Sequence, residues 1–320
     1  MISMRSAVVF PAGCLLACSP AWADYPERPV RIIVPYEAGG GADMITRLVA
    51  LQLGNRLKQS VIVENCGGGS NTIGMNAVAK SAADGYTLGL VTPTFVMTPL
   101  LIKHHPYKPL ADFAAVGMVA TAPLALVVHP SVPARSVREL IAIAKARPGQ
   151  LNFASGGVTS TQGLAGVLFA SMADIDVANV PYKGSSQAMT DLLAGNVQFM
   201  FNPMASVLPH IASGKLRAVG VSSDAPASLL PGVGTVGAAV PGYHVTGWFG
   251  LVAPTGTPGP VVDRLNRELA SILEAPGVAE QMREWGLEPK PMAVGDFTAL
   301  LAAESRKYAE IIKTQNLALE

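Results

Sequence analysis

The stretch from Val30 to Asp43 constrains the fold of this chain more than any other. Val30, Ile32, Ile33 and Val34 form a β-branched run closed off by Pro29 and Pro35, which predicts a short buried strand. Gly39-Gly40-Gly41 follows, a turn in which the backbone takes conformations closed to other residues and can approach a ligand closely. Asp43 then stands where an N-cap belongs, ahead of the apolar positions Ile45, Leu48, Val49 and Leu53 of a helix. A helix N-terminus behind an open glycine turn offers free N–H groups and the positive end of the helix dipole, an anion-binding device that needs no lysine or arginine. The same turn also serves as a plain connection between strand and helix, and this stretch alone leaves both readings open.

The pattern then repeats. Val61 to Asn65 reads as a second strand before Gly67-Gly68-Gly69, with helical spacing from Met75 to Lys80. Tyr86 to Val91 reads as a third, ending at Thr92-Pro93-Thr94. Strand, small-residue loop and helix in series predict a parallel sheet, whose ligands bind beyond the carboxyl ends of the strands. Val116 to Val119 and Leu124 to Val128 are two apolar runs with no helix between them, which we read as a crossover into a second domain. Its units are helix Val137 to Ala146, strand Leu151 to Ala154 with the loop Ser155 to Thr161, and helix Gln162 to Met172. They continue with a strand near Val177, the loop Pro181 to Ser186, helix Gln187 to Ala194, and a strand from Val197 to Phe201 ending at Asn202-Pro203. Strand Leu216 to Val221 and a proline- and glycine-rich stretch over Pro226 to Gly242 lead to a return strand, Gly247 to Pro254. Helices over Pro260 to Leu273, Val278 to Trp285 and Asp296 to Lys313 end the chain. The expected architecture is a two-lobed α/β protein: residues 24–122 plus 247–320 form one lobe and 123–246 the other. Two crossovers join them, and the loops line a ligand cleft between.

Residues 1–23 read as an export signal rather than as part of the fold. Arg5 is its positive end, Ala7 to Cys18 its short apolar core, and Ala21-Trp22-Ala23 a small-x-small cleavage site before Asp24. Leu15-Leu16-Ala17-Cys18 offers the alternative of a lipoprotein anchored through Cys18. With cleavage after Ala23, Cys66 is the one cysteine left, so no intrachain disulfide and no zinc ligand set is expected. Charged residues are 14% of the chain and the formal net charge is +1, with no basic cluster, which argues against nucleic acid as a partner.

Enzyme signatures are missing. Met44 and Thr72 stand where G-x-G-x-x-G needs its last glycine. Gly69 to Gly74 has the spacing of a phosphate loop, but Met75-Asn76 replaces the lysine and hydroxyl residue. There is no G-x-S-x-G elbow, and none of the five histidines belongs to H-E-x-x-H; His104-His105 reads as a surface pair. Glu37 is the one carboxylate of the first loop, and no general acid and base assemble. No cofactor is expected. The loops instead offer backbone N–H groups, serine and threonine hydroxyls, Asn71, Asn202, Tyr36 and Tyr182, with Lys183 the one cation. Such groups hold a carboxylate without reacting with it.

Landmarks spread along the chain resemble the Bug family, the solute-binding proteins of tripartite tricarboxylate transporters. They are Tyr25-Pro26-x-x-Pro29, Val34-Pro35-Tyr36 with Gly39-Gly40, Asp43 and Arg47, Val63-Glu64-Asn65, Ile73-Gly74 and Asp84-Gly85-Tyr86-Thr87. Val180-Pro181-Tyr182-Lys183-Gly184, Gly214-Lys215-Leu216-Arg217 and Ala253-Pro254-x-Gly256-Thr257-Pro258 complete the set. The resemblance implies a type II-like periplasmic binding protein that captures a small organic carboxylate and passes it to membrane permease subunits. A sensing protein that reports ligand occupancy to a membrane-bound regulator would need the same cleft. By position, the resemblance carries ligand contacts onto Tyr36, Ala38, Gly39, Gly40, Thr92, Thr94, Ser155, Gly156, Thr159, Tyr182, Lys183 and Gly184. Asn202 joins them as a polar residue of the cleft, while Asp43 and Arg47 are read as holding the first helix. The chain departs from the family's pattern at Cys66-Gly67 (usually arginine-proline), Gly163 (commonly histidine), Gln198 and Asn202 (typically aspartates), and Val236 to Ala239, which lacks a glutamate. Asparagine in place of aspartate at position 202 removes a negative charge beside the cleft, which would either admit a second ligand carboxylate or simply alter specificity.

Overall fold

The computed structural model describes residues 25–102, 105–157, 160–182 and 184–314. The signal segment, His104, Thr159 and Lys183 lie outside the described residues. Strand β1 (Val30–Val34) leads into helix α1 (Gly41–Leu57), β2 (Val61–Asn65) into α2 (Thr72–Ala79), and β3 (Thr87–Val91) into α3 (Pro93–Leu101). β4 (Phe113–Val128) is one strand of 16 residues, so the two apolar runs of the sequence are a single element. After it come α4 (Val137–Ala146), β5 (Leu151–Ser155), α5 (Thr161–Ala173), β6 (Val177–Pro181), α6 (Ser185–Leu193), β7 (Phe199–Pro203), α7 (Met204–Ala212) and β8 (Arg217–Val221). β9 (Thr246–Pro254) returns, followed by α8 (Gly259–Leu273), α9 (Pro276–Glu284), the short β10 (Glu288–Pro289) and α10 (Val294–Thr314).

The strand order is β2-β1-β3-β9-β4-β7-β5-β6, with β8 and β10 also paired to β4. The sheet is mixed rather than wholly parallel. β1 runs parallel to β2 and β3, and β5 parallel to β6 and β7, whereas β9 is antiparallel to both β3 and β4, and β4 is antiparallel to β7 and β8. β4 serves both lobes. Its first part, to Pro123, pairs with β9, and from Leu124 onward it pairs with β7 and β8. Two register shifts against β9, between Ala115 and Gly117 and between Met118 and Ala120, curl the strand on its way.

Side-chain alternation along the strands divides the interior. Ile32 and Val34 pack with Ile45, Leu53 and Leu265 on one face of the first sheet; Ile33 packs with Phe95, Val252 and Phe297 on the other. In the second lobe Leu124, Leu126 and Val128 join Phe153, Phe169 and Phe199, while Ala125 and Val127 join Met200 and Leu192 on the opposite face. Each lobe is therefore a sheet covered by helices on both faces.

Candidate functional site

Five strands run almost directly into helices, and the helix starts meet over one cavity of about 470 Å³. The first lobe contributes Tyr36, Gly40, Gly41 and Ala42 at the start of α1 and Thr92, Pro93 and Thr94 at the start of α3. The second contributes Ser160, Thr161 and Gln162 from α5, Ser185 from α6 and Pro203 from α7. Between them, β4 supplies Ala122 and Leu124, and β9 supplies Gly247, Trp248 and Phe249. The cavity is thus polar at both lobes and largely apolar along the strands that join them. None of the described lining residues is charged. Convergent helix N-termini in a site without carboxylates favour a bound anion.

The first loop is rigidly held. α1 begins at Gly41 with Gly40 as its N-cap, three residues before the N-cap expected at Asp43. Asp43 lies in the first turn and reaches back: its Oδ2 accepts the Gly39 N–H at 2.9 Å, and Gly39 takes a φ of +87° that favours glycine. Arg47 Nε donates to the same oxygen at 3.0 Å, and Asn65 Nδ2 donates to Asp43 Oδ1 at 3.0 Å and to the Tyr36 carbonyl at 3.2 Å. The Arg47 hydrogen bond, with help from the Gly39 N–H and Asn65, holds the Asp43 carboxyl below its ordinary pKa despite burial. The sign of the stability effect follows. With a folded-state pKa below the unfolded value of about 3.9, ionised Asp43 contributes in full above that pH and loses its contribution as pH falls through the folded-state value. Asp43→Asn is expected to cost about 1–2 kcal/mol at neutral pH and to flatten the acid limb of the melting temperature below about pH 4. Equal acid slopes for parent and variant would show that Asp43 does not carry this linkage.

Behind the loop, three hydroxyls close a ring. Tyr36 Oη is hydrogen-bonded to Thr92 Oγ1 and, at 2.9 Å, to Thr94 Oγ1, and the two threonines are 2.9 Å apart. Asn71 Nδ2 donates to Thr94 Oγ1 at 3.0 Å. Burial raises the Tyr36 phenol pKa against the opposing effect of these hydrogen bonds, so the group stays a neutral donor. The three contacts use the three O–H groups, and Asn71 fills an acceptor site on Thr94, so an acceptor in the cavity would receive an O–H by replacing one contact of the ring.

Of the residues singled out in the sequence, Tyr36, Gly40, Thr92 and Thr94 line this cavity. Gly39 sits one residue back in the turn, and Ala38 is exposed beside it. Ser155 is fully buried and donates to Asn179 Oδ1 at 2.9 Å. Gly156 supports the wall from behind: a Cβ there would lie 2.7 Å from Ser185 Oγ. Gly184 caps α6 next to Ser185. Tyr182 Oη donates to Asp191 Oδ2 at 2.6 Å, and burial together with that carboxylate pushes its phenol up to about 12. Asn202 is 1% exposed; its Oδ1 accepts from Gln162 Nε2 at 3.5 Å, and the same Nε2 donates to Ser185 Oγ at 3.0 Å. Sequence reasoning about loops had no access to the wall on β4 and β9. The one local signal is the aromatic pair Trp248-Phe249 set between Gly247 and Gly250. Glu37 is exposed, and Cys66 is half-buried, packed at the edge of the core. Among the described residues no group of histidine, cysteine or carboxylate side chains is arranged to hold a metal, and no helix is long and apolar enough to cross a membrane.

Two α/β lobes joined by shared strands around an anion-favouring cavity define a solute-binding receptor. The model of the tripartite tricarboxylate transporter family receptor (TctC) matches residues 45–317, and the chain belongs to that family, whose members bind solutes for transport and are not enzymes. It is 36% identical to Protein BugT of Bordetella pertussis over 302 residues, 92% of each chain. Among solved structures it is similar to an R. palustris protein with adipate at a TM-score of 0.80 and 34% identity, covering 92% of this chain and 99% of that one. It is also similar to MatC of Rhodopseudomonas palustris with bound malate, at a TM-score of 0.74 and 27% identity, covering 90% and 100%.

Proposed function

We propose that this receptor captures a small dicarboxylate with an apolar middle in the periplasm and delivers it to the permease subunits of a tripartite tricarboxylate transporter. The observation that carries the reading is the cavity's layout. The helix starts and hydroxyl ring of the first lobe face the helix starts, Thr161, Gln162 and Ser185 of the second, with Ala122, Leu124, Trp248 and Phe249 between. Adipate and malate, bound by two similar proteins, are both small dicarboxylates, and adipate has the apolar middle. The lobes we assign, 24–122 with 247–320 and 123–246, divide where β4 changes partner from β9 to β7 and β8. Closure of one on the other would seal the ligand from water. An export signal cleaved after Ala23 fits the same role.

The test is a thermal-shift screen of protein refolded once to strip carried-over ligand, against mono-, di- and tricarboxylates, with nucleotides as controls. A dicarboxylate at about a hundred times its Kd should stabilise the fold by about 2.7 kcal/mol, a rise of several degrees. A response to nucleotides and to no acid would overturn the reading. The buried, neutral Asn202 beside Gln162 gives a second prediction. Asn202→Asp places a carboxylate under the second polar end and should weaken a dicarboxylate about tenfold or more while affecting a monocarboxylate much less. Unchanged dicarboxylate affinity, measured by calorimetry, would show that this end does not receive the second charge.

A further inference from the structure

The cavity wall at Trp248 depends on a residue that does not line it. Trp248 is 3% exposed and is one of the residues that line the cavity. Its Nε1–H donates to Glu304 Oε2 of α10 at 3.3 Å, and its ring meets Phe297 of the same helix edge-on, centroids 5.9 Å apart at 87°. The other carboxylate oxygen of Glu304 accepts Lys307 Nζ at 3.0 Å. The Glu304 side chain is only 12% exposed. A nearly buried carboxylate is costly to keep, and an apolar side chain of similar size would pack behind the sheet at least as well for stability alone. What Glu304 adds is direction. Indole has a single N–H, so one acceptor on that edge and one aromatic neighbour fix both its tilt and its rotation.

We propose that Glu304 is a positioning residue for ligand binding: it holds the Trp248 indole as a fixed apolar wall against the middle of the ligand. This rests on the reading of the cavity as the dicarboxylate site. The arrangement makes Trp248 a pre-formed surface, so the ligand does not have to order it on binding.

The test uses the full chain carrying Trp22→Phe and Trp285→Phe, in which Trp248 is the one remaining tryptophan of the three. In that background Glu304→Ala is expected to raise the Kd for adipate about tenfold, the worth of one charge-assisted hydrogen bond. It should also shift Trp248 emission to longer wavelength and increase its quenching by acrylamide, all without ligand. Glu304→Gln keeps an acceptor oxygen and should return both the emission and the affinity close to the parent. A merely structural role predicts something else: both variants lower the melting temperature, while emission and adipate affinity stay put. That result, or a failure of Gln to rescue, would overturn the proposal. If the parent itself does not bind adipate, the dicarboxylate reading is what fails. The emission and quenching of the unliganded variants then still decide whether Glu304 holds the indole, and unchanged values refute it.

Discussion

Gly250→Ala is expected to lower the melting temperature of the unliganded protein by roughly 5–10 °C, following an overpacking cost of about 2–3 kcal/mol. A Cβ at this position would lie 2.2 Å from Phe297 Cζ and 2.9 and 3.0 Å from the two Cε atoms. Neither side has room to yield. Gly250 is locked between β3 and β4 through its pairing with Val91 and Met118, and Phe297 is fully buried, its ring edge-on to Trp248. The helix must therefore lift, and the damage extends to the cavity, because Phe297 is one of the two supports of the Trp248 indole. Ligand affinity should fall together with stability. Thermal melts of Gly250→Ala, Phe297→Leu and the double variant check the cause. If the clash is responsible, the double variant is more stable than the sum of the single losses predicts. Simple additivity would place the cost elsewhere.

Tyr36→Phe is expected to weaken ligand binding by roughly tenfold to a hundredfold, with a much smaller effect on the unliganded fold. The substitution removes the central hydroxyl of the ring but leaves the 2.9 Å contact between Thr92 and Thr94 and the Asn71 donor in place. In the free protein the two threonines can satisfy each other, so little is lost. In the complex the ligand acceptor would lose the hydroxyl that turns to it from the ring. Because burial keeps the phenol protonated, the parent's affinity should stay level as pH rises through 9, with no loss from ionisation of Tyr36. Calorimetric titration of parent and variant with one carboxylate decides the matter. Equal affinities would remove the hydroxyl ring from the site.

The strand-loop-helix units were legible because their signals are local. A β-branched run, a glycine or threonine turn and an apolar helical period lie within some twenty residues of one another, as from Val30 to Leu53. Where a signal was local but ambiguous, the reading slipped by a turn. Asp43 has the chemistry of an N-cap, yet it acts from inside the helix by accepting the Gly39 N–H. Helix α7, which carries Pro209 within its nine residues, escaped because proline reads as a stop. The union of the two apolar runs into β4 was hidden by Pro123. That residue lies at the change of partners, where the strand leaves β9 for β7 and β8. The site divides in the same way. Tyr36, Gly40, Thr92 and Thr94 follow their strands directly and could be found. Ala122, Leu124 and Trp248 line the cavity only because two strands more than a hundred residues apart in sequence run side by side. No pattern along the chain announces that pairing.

The place of β9 between β3 and β4 also sets an order of assembly. Residues 124–245 contain every member of both second-lobe cores and all the strands that pair with β4 there. That unit is complete as soon as Val245 has been synthesised. The first lobe, although its opening strands are made earliest, has a gap in its sheet that only β9 fills, and its core lacks Leu265, Leu269 and Phe297 until α8 and α10 follow. The part of the chain that emerges first from the ribosome is thus the last to be able to finish folding.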